Sequence, residues 1–359
     1  MTSAHAPEDV RIFHKECVSL AKADYEVYLV ECGESYEKEG VHMIGVGELP
    51  TSRLKRMTEG AKKVYETARA LDCDIYHFHD PELIPYGLKL KKLGKKVVFD
   101  IHEQIADSIM EKEYLPKAVR SSVRSVYSSY EARKCRRFDA LITVTPTQTA
   151  FYEAINPNTV EVTNYPILEE QSEPVATPRE RALFFAGGID RQWNHHVILK
   201  ALESFSDCKY VLCGSENAYL DSLKAMPAWN QVVYLGKIPH AKVIEAMEKC
   251  MIGISLLTPG RNTAWNTGTM GNTKIFEQMA AGLPVVCTNF DLWRAFIEQY
   301  HCGICVDPTD EEQVSSAIRQ LLEHPEKARE MGQNGRKAVE TEFNWEIPKK
   351  KLLDLYSNL

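Results

Sequence analysis

Residues 271–286 read Gly271-Asn272-Thr273-Lys274-Ile275-Phe276-Glu277-Gln278-Met279-Ala280-Ala281-Gly282-Leu283-Pro284-Val285-Val286. This stretch combines a polar loop, a short helix, a tight turn and a strand. Four apolar residues recur at helical spacing and are expected in the core: Ile275, Phe276, Met279 and Ala280. Gly282 ends the helix and Pro284 opens the strand. The order of these elements predicts a corner of an α/β domain.

The start of this predicted helix has the features of an anion-binding site. Asn272 and Thr273 leave backbone N–H groups exposed at a helix end that carries about half a positive charge. Lys274 adds a full charge, and a cation at that end suggests that an anion arrives from outside. Glu277 follows one helical turn later on the same side, where its carboxylate would meet hydroxyl groups. An ordinary helix with an N-terminal lysine and a capping glutamate is an equal alternative.

Strands and helices alternate along the rest of the chain, which predicts parallel sheets with crossover helices. The pattern breaks in an acidic stretch that carries two prolines and has the composition of a linker. We therefore predict an α/β fold of two Rossmann-like, doubly wound domains facing a central cleft. The predicted parts are an N-terminal domain (1–166), a linker (167–180), a C-terminal domain (181–343) and a C-terminal helix (344–359) packing back on the first domain. No strand precedes the loop at Met1, and the sequence leaves open whether the native start lies upstream.

Length and composition narrow the class of protein. A chain of 359 residues with 44% hydrophobic and 26% charged residues is typical of a two-domain globular protein. No run of about eighteen apolar residues and no signal-peptide pattern appears, so a cytoplasmic location is expected. The ten cysteines are scattered and are expected to be reduced, and Cys302-Gly303-Ile304-Cys305 is interpreted as a turn into a strand. The net charge of −7 argues against binding of nucleic acid.

Further candidates follow predicted strands in the second half. Gly187 and Gly188 end one strand and leave room for a ligand near the backbone, and Arg191 supplies a cation close by. Gly214 ends the next strand, and Ile238 lies in the loop after the strand that follows it. These loops could hold a flat base against the backbone, although ordinary turns explain them equally well.

Histidines follow two strands of the first half. His77-Phe78-His79-Asp80 closes one strand and Phe99-Asp100-Ile101-His102 closes another. Their spacing suggests no convincing metal cage. His79 with Asp80 could cap the helix that begins at Pro81, whereas no helix follows His102 directly, so a functional role is favoured there.

The span 89–137 is basic within an acidic protein. It contains thirteen Lys or Arg against six acids, a net charge of 13 − 6 = +7. Interleaved apolar residues make its later part amphipathic: Tyr114, Leu115, Val119, Val123, Val126 and Tyr127. This pattern fits an anionic membrane surface or a pyrophosphate-bearing lipid acceptor. A solvated basic helix face is the slightly favoured alternative.

Four motifs together resemble the family 4 glycosyltransferases of bacterial polysaccharide clusters. They are His-Asp-Pro-Glu-Leu at 79–83, Phe-Asp-Ile-His-Glu at 99–103, Asn-Thr-Lys-Ile-Phe-Glu-Gln-Met-Ala-Ala-Gly-Leu-Pro-Val-Val at 272–286 and Cys-Gly-Ile-Cys-Val-Asp-Pro at 302–308. The resemblance covers nearly the whole chain from Ala4. It implies the two-domain GT-B fold, a nucleotide-sugar donor linked to UDP or GDP in the C-terminal domain, and a saccharide or lipid-linked saccharide acceptor in the N-terminal domain. It also implies transfer with retention and without a divalent metal or other cofactor. Together with the basic span, it leads us to expect a role in surface polysaccharide assembly at the cytoplasmic face of the inner membrane.

The resemblance also assigns roles to individual residues. Glu277 would bind the ribose hydroxyls, and Lys274 with the N–H groups around Asn272 and Thr273 would bind the diphosphate. His102 would contact the donor sugar near the reacting centre.

Two positions depart from the family pattern. Many members carry a second glutamate eight residues before the ribose glutamate, where this chain has Thr269. Members also place Lys or Arg where this chain has Trp193, so that Arg191 is the nearest cation. These departures indicate a variant donor site or a loss of activity. A nucleotide-sugar epimerase of the same fold and a non-catalytic partner subunit are therefore the alternative functions.

Overall fold

The computed structural model describes residues 1–111, 116–168 and 179–359. They form two compact units: an N-terminal unit of Met1–Asn164 with Glu346–Leu359, and a C-terminal unit of Tyr165–Trp345. Tyr165 packs on Phe276 and Phe343, with ring centroids 5.0 and 5.6 Å away. Residues 165 and 166 therefore belong to the C-terminal unit, not to the first domain as predicted. Of the predicted linker, residues 169–178 lie outside the described residues.

The N-terminal unit contains two sheets. In the first, β1 (Val27–Glu31) pairs in parallel with β3 (Val41–Gly45), which pairs antiparallel with β2 (Tyr36–Lys38). The second is parallel, in the order β4 (Ile75–Phe78), β5 (Lys96–Ile101), β6 (Ala140–Thr143) and β7 (Thr159–Glu161). The Met1 amino group donates to the His77 carbonyl at 2.7 Å, and Thr2 N donates to the Val30 carbonyl at 3.0 Å. The first two residues thus lie between β1 and β4.

Helices cover these sheets. They are α1 (Val18–Ala21), α2 (Arg53–Lys55), α3 (Ala61–Ala70), α4 (Ile84–Lys92), α5 (Ile105–Glu111), α6 (Lys117–Cys135) and α7 (Pro146–Glu153), with a 3₁₀ turn at Pro81–Leu83 and a π-helical turn at Arg56–Gly60. Their core is apolar, with Phe78, Phe99 and Leu141 almost completely buried.

A π-helix of eight residues, Val10–Cys17, precedes α1. The Asp9 carboxylate caps it by accepting from Arg11 N at 2.9 Å and Ile12 N at 3.1 Å. Because a π-helix closes its hydrogen bonds between residues five apart, Arg11 and Glu16 lie on one side of it. Both side chains are almost fully buried.

The C-terminal unit has one parallel sheet of six strands. They are β8 (Glu180–Ala186), β9 (Lys209–Cys213), β10 (Val232–Gly236), β11 (Cys250–Ser255), β12 (Val285–Thr288) and β13 (Gly303–Val306). Their order is β10-β9-β8-β11-β12-β13, which becomes 3-2-1-4-5-6 when the strands of this unit are counted along the chain. In such doubly wound sheets ligands bind at the carboxyl ends, where the strand order reverses. That point lies between β8 and β11.

The remaining helices complete both units. They are α8 (His195–Leu202), α9 (Ala218–Lys224), α10 (His240–Glu248), α11 (Thr273–Ala280), α12 (Asp291–Tyr300), α13 (Glu311–Glu323), α14 (Pro325–Thr341) and α15 (Glu346–Ser357), with 3₁₀ turns at Arg191–Trp193, Pro227–Gln231, Arg261–Thr263 and Trp265–Thr267. α15 belongs to the N-terminal unit, where it buries Leu352 and Leu355. The Tyr356 hydroxyl lies 2.9 Å from His77 Nδ1.

Two expectations from the sequence were that the cysteines are reduced and that no segment spans a membrane. All ten cysteines are free thiols, and Cys305 Sγ lies 3.8 Å from Cys287 Sγ in the neighbouring strand. Within the described ranges, no helix is both long and apolar enough to cross a bilayer.

Candidate functional site

The anion-binding features predicted from the sequence meet at the switch point of the C-terminal sheet. Gly187 directly follows β8, and its φ of +152° and close neighbours require a residue without a side chain. A Cβ at this position would lie 2.0 Å from Lys274 Cε. The aliphatic part of the Lys274 side chain therefore packs directly over the Gly187 backbone.

The start of α11 supplies the other half of this corner. Asn272 is the N-cap residue, and its Oδ1 accepts from Lys274 N at 3.2 Å. The Asn272 Nδ2 group is buried and has no hydrogen-bond partner among the described residues. Because an unsatisfied buried donor costs free energy, this amide is suited to a ligand acceptor.

The Lys274 ammonium lies in an aromatic and incompletely neutralised environment. Its Nζ is 4.6 Å from the centre of the Trp193 ring and 6.0 Å from that of Phe185. Burial lowers the pKa of Lys274, and the charges of Glu277 and Asp190 oppose this shift without cancelling it. An arriving anion would stabilise the charged form.

Trp193 explains one departure from the family pattern. Trp193 occupies the position at which a Lys or Arg was expected, and only 8% of its surface is exposed. A cation above the face of a tryptophan is attracted by the ring electrons. The chain thus has a single cation stacked on an aromatic ring where the family pattern has two cations.

Three further residues predicted to bind the donor, Glu277, Gly214 and Ile238, lie in the same unit as Lys274. Glu277 has a side chain that is 20% exposed, and its Oε1 lies 3.7 Å from His240 Nε2. A Cβ on Gly214 would lie 2.4 Å from the Gly187 carbonyl, so these two strand ends touch. Ile238 packs against a small apolar cluster behind the sheet.

Arg191 and Gly188 begin the turn after β8. The Asp190 carboxylate accepts from Gln192 N at 2.8 Å, and the Arg191 guanidinium lies 5.2 Å from the centre of the Tyr219 ring. A Cβ on Gly188 would lie 3.4 Å from Asp190 Oδ2. The structure thus places Gly187, Asn272, Thr273, Lys274 and Glu277 together and stacks Arg191 on Tyr219.

In the N-terminal unit, His102 is held by Asp100. His102 Nε2 lies 2.8 Å from Asp100 Oδ2, and since a carboxylate only accepts, the ring donates through Nε2. Arg11 forms a bidentate pair with the same carboxylate, at 2.8 Å from Nε and 2.9 Å from Nη2. Burial alone would raise the pKa of Asp100, but Arg11 and the histidines hold it well below its usual range. The side chain of His102 is 21% exposed, so this ring can still reach a ligand.

Glu16 lies behind this pair. Its Oε1 is 3.1 Å from Arg11 Nε. Burial, reinforced by Asp100, raises the pKa of Glu16 well above its usual range. Burial also lowers the pKa of His79 well below its usual value and that of His77 to about 3.

The interpretation of Asp80 as a helix cap is wrong. Its side chain makes no capping hydrogen bond to the 3₁₀ turn at Pro81–Leu83. The carboxylate instead accepts from Ser3 N at 2.6 Å and Thr2 Oγ1 at 2.8 Å, and lies 3.2 Å from His5 Nδ1. Burial acts to lower the pKa of His5, but Asp80 raises it overall. Asp80 therefore orders the N-terminal segment.

Comparison with known families adds to this geometry. A model of "Glycosyltransferase Family 4" matches residues 11–164, and one of "Glycosyl transferases group 1" matches residues 168–338. Two Rossmann-like units and these matches define a protein of the glycosyltransferase class with the GT-B fold. The chain belongs to family 4 of the glycosyltransferases.

Individual relatives are more distant. Spore coat protein SA of Bacillus subtilis is 24% identical to this chain over 207 residues. The matched region covers 52% of this chain, and the chain spans about half (52%) of the length of this curated relative. Sucrose-phosphate synthase from Thermosynechococcus elongatus has a TM-score of 0.78 at 18% identity, covering 99% of this chain and 94% of its own. The Anabaena protein HepE, solved with UDP and glucose, has a TM-score of 0.70 at 16% identity, covering 95% of both chains. These structures confirm the predicted fold class.

Sequence reasoning missed Arg11, Glu16 and Asp190. Arg11 lies 89 residues before its partner Asp100, and nothing in the local sequence indicates that pairing. An Arg and a Glu five residues apart would diverge on an α-helix, so their common side becomes visible only with the π-helix. Asp190 next to the Gly187-Gly188 pair was the one available signal.

Proposed function

We propose that this chain is a glycosyltransferase that moves a hexose or N-acetylhexosamine, with retention, from a nucleoside diphosphate sugar to a saccharide acceptor. The observation that carries the proposal is the Lys274 ammonium, largely buried, at a helix start and packed over Gly187. Helix starts with free N–H groups bind phosphate, and a buried cation needs an anion. A diphosphate satisfies both.

The donor would lie along the carboxyl ends of β8, β9 and β11. Lys274, Asn272, Thr273 and the backbone of Gly187 and Gly188 would bind the diphosphate, and Glu277 the ribose hydroxyls. The base would lie near Gly214 and Ile238. HepE, with the same fold, was solved with UDP and glucose, which supports UDP over GDP as the carrier.

The chemistry follows from the charges. As the bond between the anomeric carbon and the phosphate oxygen breaks, negative charge grows on the leaving diphosphate. Preorganised donors at such a site each contribute about 2.7–4 kcal/mol to barrier lowering. Lys274 and the start of α11 would supply this stabilisation without a divalent metal, and the acceptor hydroxyl would pass its proton to the departing phosphate. The family resemblance supports retention of the anomeric configuration.

His102 would contact the donor sugar. The Asp100 carboxylate fixes the ring by accepting from Nε2, so Nδ1 is the atom available as an acceptor when the ring is neutral. Arg11 fixes the carboxylate in turn. This chain of contacts would hold His102 in place for hydrogen bonding to a sugar hydroxyl.

The acceptor would bind the N-terminal unit, and α6 supports a lipid-linked one. Along α6, Val119, Val123, Val126 and Tyr130 are between 36% and 71% exposed at helical spacing. Arg120, Arg124 and Lys134 flank this apolar stripe, a composition that binds anionic bilayers. The enzyme would then act at the cytoplasmic face of the membrane in surface polysaccharide assembly. Of the predicted amphipathic stretch, Tyr114 and Leu115 lie outside the described residues.

A panel of UDP- and GDP-linked sugars tests the proposal. Incubation with and without saccharide acceptors, followed by product analysis, should give transfer or slow hydrolysis of one donor. A changed sugar still attached to its nucleotide would identify an epimerase instead. Calorimetry with UDP and GDP separates the remaining alternative, because a non-catalytic subunit that has lost its donor site binds neither.

The membrane contact needs its own measurement. Co-sedimentation with vesicles containing anionic lipid should fall when Val123 and Val126 are both replaced by Ser. Replacing the exposed Ile347 by Ser is the control, since it removes an exposed apolar side chain outside α6. Equal binding by all three proteins would contradict a role for α6.

A further inference from the structure

Two histidines lie at the carboxyl end of β4. His77 is within the strand and His79 directly follows its last residue, Phe78, and both side chains lie on the same side. Their rings are stacked, with centroids 4.6 Å apart and an angle of 29° between the planes. Both Nε2 atoms therefore face the same neighbouring element.

That element is the π-helix Val10–Cys17, which presents Glu16. Glu16 Oε2 lies 3.9 Å from His77 Nε2 and 3.9 Å from His79 Nε2. Together with Asp100, these residues offer four ligand atoms within 4.8 Å of one another. Three separate segments, β4, β5 and the π-helix, thus converge on one point.

The far side of each ring is already occupied. His79 Nδ1 lies 3.2 Å from Asp100 Oδ2, and since a carboxylate only accepts, this nitrogen carries the proton. The neutral His79 ring therefore directs the lone pair of Nε2 toward the Glu16 carboxylate. His77 Nδ1 is paired with the Tyr356 hydroxyl at 2.9 Å. Metal-binding histidines have this arrangement, with the second nitrogen bonded to a carboxylate or another polar group.

Three of the converging atoms lack a hydrogen-bond partner among the described residues, although Glu16 Oε1 also lies 3.1 Å from Arg11 Nε as an ion pair. Glu16 Oε1 and Oε2 and His77 Nε2 are buried without a hydrogen-bond partner in the described part of the chain. The Glu16 side chain is 2% exposed, and that of His77 10%. The nearby Arg11 Nε–H is directed to Asp100, at 2.8 Å. Acceptor atoms that meet in a buried site need either a proton or a metal ion between them.

We propose that Glu16, His77 and His79 bind one divalent transition-metal ion, with zinc the best match to two imidazoles and a carboxylate. Zinc takes such ligands at about 2.0–2.2 Å, which places ligand atoms roughly 3.4 Å apart. The two Glu16-to-histidine distances of 3.9 Å need a closure of about half an ångström, and the widest ligand-atom separation, up to 4.8 Å, one of up to about 1.4 Å. Asp100 and Tyr356 orient the two rings from outside.

The ion would have a structural role. It would tie the π-helix to β4 and, through Tyr356, to α15, close behind the Asp100–His102 pair. This site lies in the N-terminal unit and is independent of the diphosphate site at Lys274. The inference therefore does not rest on glycosyl transfer.

Zinc binding by the full chain tests this site. Protein stripped with a chelator and desalted should take up one zinc ion per chain in competition with a chromophoric indicator. Its thermal unfolding temperature should rise on zinc addition. Cobalt substitution should give the visible absorption of a site whose protein ligands are two nitrogens and one oxygen. If the wild-type protein bound zinc no more tightly than its Glu16→Gln variant, the proposal would be overturned. A proton, and not a metal ion, would then lie between the Glu16 and histidine acceptor atoms.

Three variants locate the ion. Tyr356→Phe keeps all three ligands and removes only a hydroxyl that orients one of them, so it should weaken zinc binding by roughly 10–100-fold. Glu16→Gln and His77→Gln each remove a ligand and should weaken zinc binding by more than that. His42→Gln is the matched control, because His42 is a partly exposed histidine on β3 stacked on Tyr28. Equal zinc affinity in Glu16→Gln and His42→Gln would contradict the site even if other variants fail to fold.

Discussion

The ammonium of Lys274 lies 4.6 Å from the centre of the Trp193 indole ring. Trp193 stands where family members carry a second cation, so the ring places and partly stabilises the remaining one. Burial lowers the pKa of Lys274 despite the opposing charges of Glu277 and Asp190. In the proposed donor site, a bound diphosphate would supply further negative charge next to this ammonium.

Replacing Lys274 by Met should leave the fold intact and reduce turnover at least about a hundredfold. The side chain keeps its aliphatic contact with Gly187, but the charge that stabilises the leaving diphosphate is gone, a loss of about 2.7–4 kcal/mol. Steady-state kinetics with the identified donor measure this loss. Lys209→Met, at the amino-terminal end of β9, is the control, and near-wild-type turnover by Lys274→Met would refute the assignment.

Gly187→Ala should weaken binding of UDP at least about tenfold, a difference of about 1.4 kcal/mol. The added methyl group would lie 2.0 Å from Lys274 Cε, so the lysine must move. Gly94→Ala is a matched control, because Gly94 also has a positive φ, of +81°, but has nothing within 4 Å of the added Cβ. Calorimetry should show unchanged UDP binding for Gly94→Ala, and equal affinities for both variants would contradict the contact.

Much of this architecture was predictable from local sequence. The strands β8, β9 and β13 and the helix α11 follow from apolar runs and a 3.6-residue period. The corner at Lys274 was predictable because its residues are contiguous or follow a strand end. These signals need no knowledge of distant partners.

Other features depend on contacts that no local pattern records. β2 has three residues and is largely exposed, so it lacks an apolar signature. The π-helix at Val10–Cys17 is stabilised by tertiary pairs such as Arg11 with Asp100, which close only in the folded unit. The stacking of Lys274 on Trp193 likewise joins residues 81 positions apart, and the sequence showed only that a cation was missing.

Arg11→Ala should destabilise the N-terminal unit by about 3–5 kcal/mol, since it leaves the buried Asp100 carboxylate without its bidentate partner. Urea unfolding measures the change. Lys38→Ala removes a partly exposed pair with Glu8 and should cost less than about 1 kcal/mol. A loss from Arg11→Ala no greater than that of the control would show that the buried pair does not contribute as argued.

His195 should make the stability of the C-terminal unit depend on pH. Burial lowers its pKa to about 3 from 6.5, and Tyr210 hydroxyl lies 2.9 Å from Nδ1. Because the unfolded chain binds the proton more readily, the stabilising effect is complete above pH 6.5 and is lost as the pH falls toward 3.

The His195→Gln variant measures this effect, since glutamine can bond to Tyr210 but cannot titrate. Between pH 6.5 and 5 the wild type should lose about 2 kcal/mol more of its free energy of unfolding than the variant does. His42→Gln corrects for an ordinary surface histidine. Parallel pH profiles for the wild type and His195→Gln would contradict the shift.

A crystal structure of the protein with UDP tests the central claim most directly. The account predicts diphosphate oxygens within hydrogen-bond distance of Lys274 Nζ and the N–H groups at the start of α11, with the ribose hydroxyls on Glu277. UDP bound at another place, with Lys274 and Glu277 making no contact to it, would contradict the account.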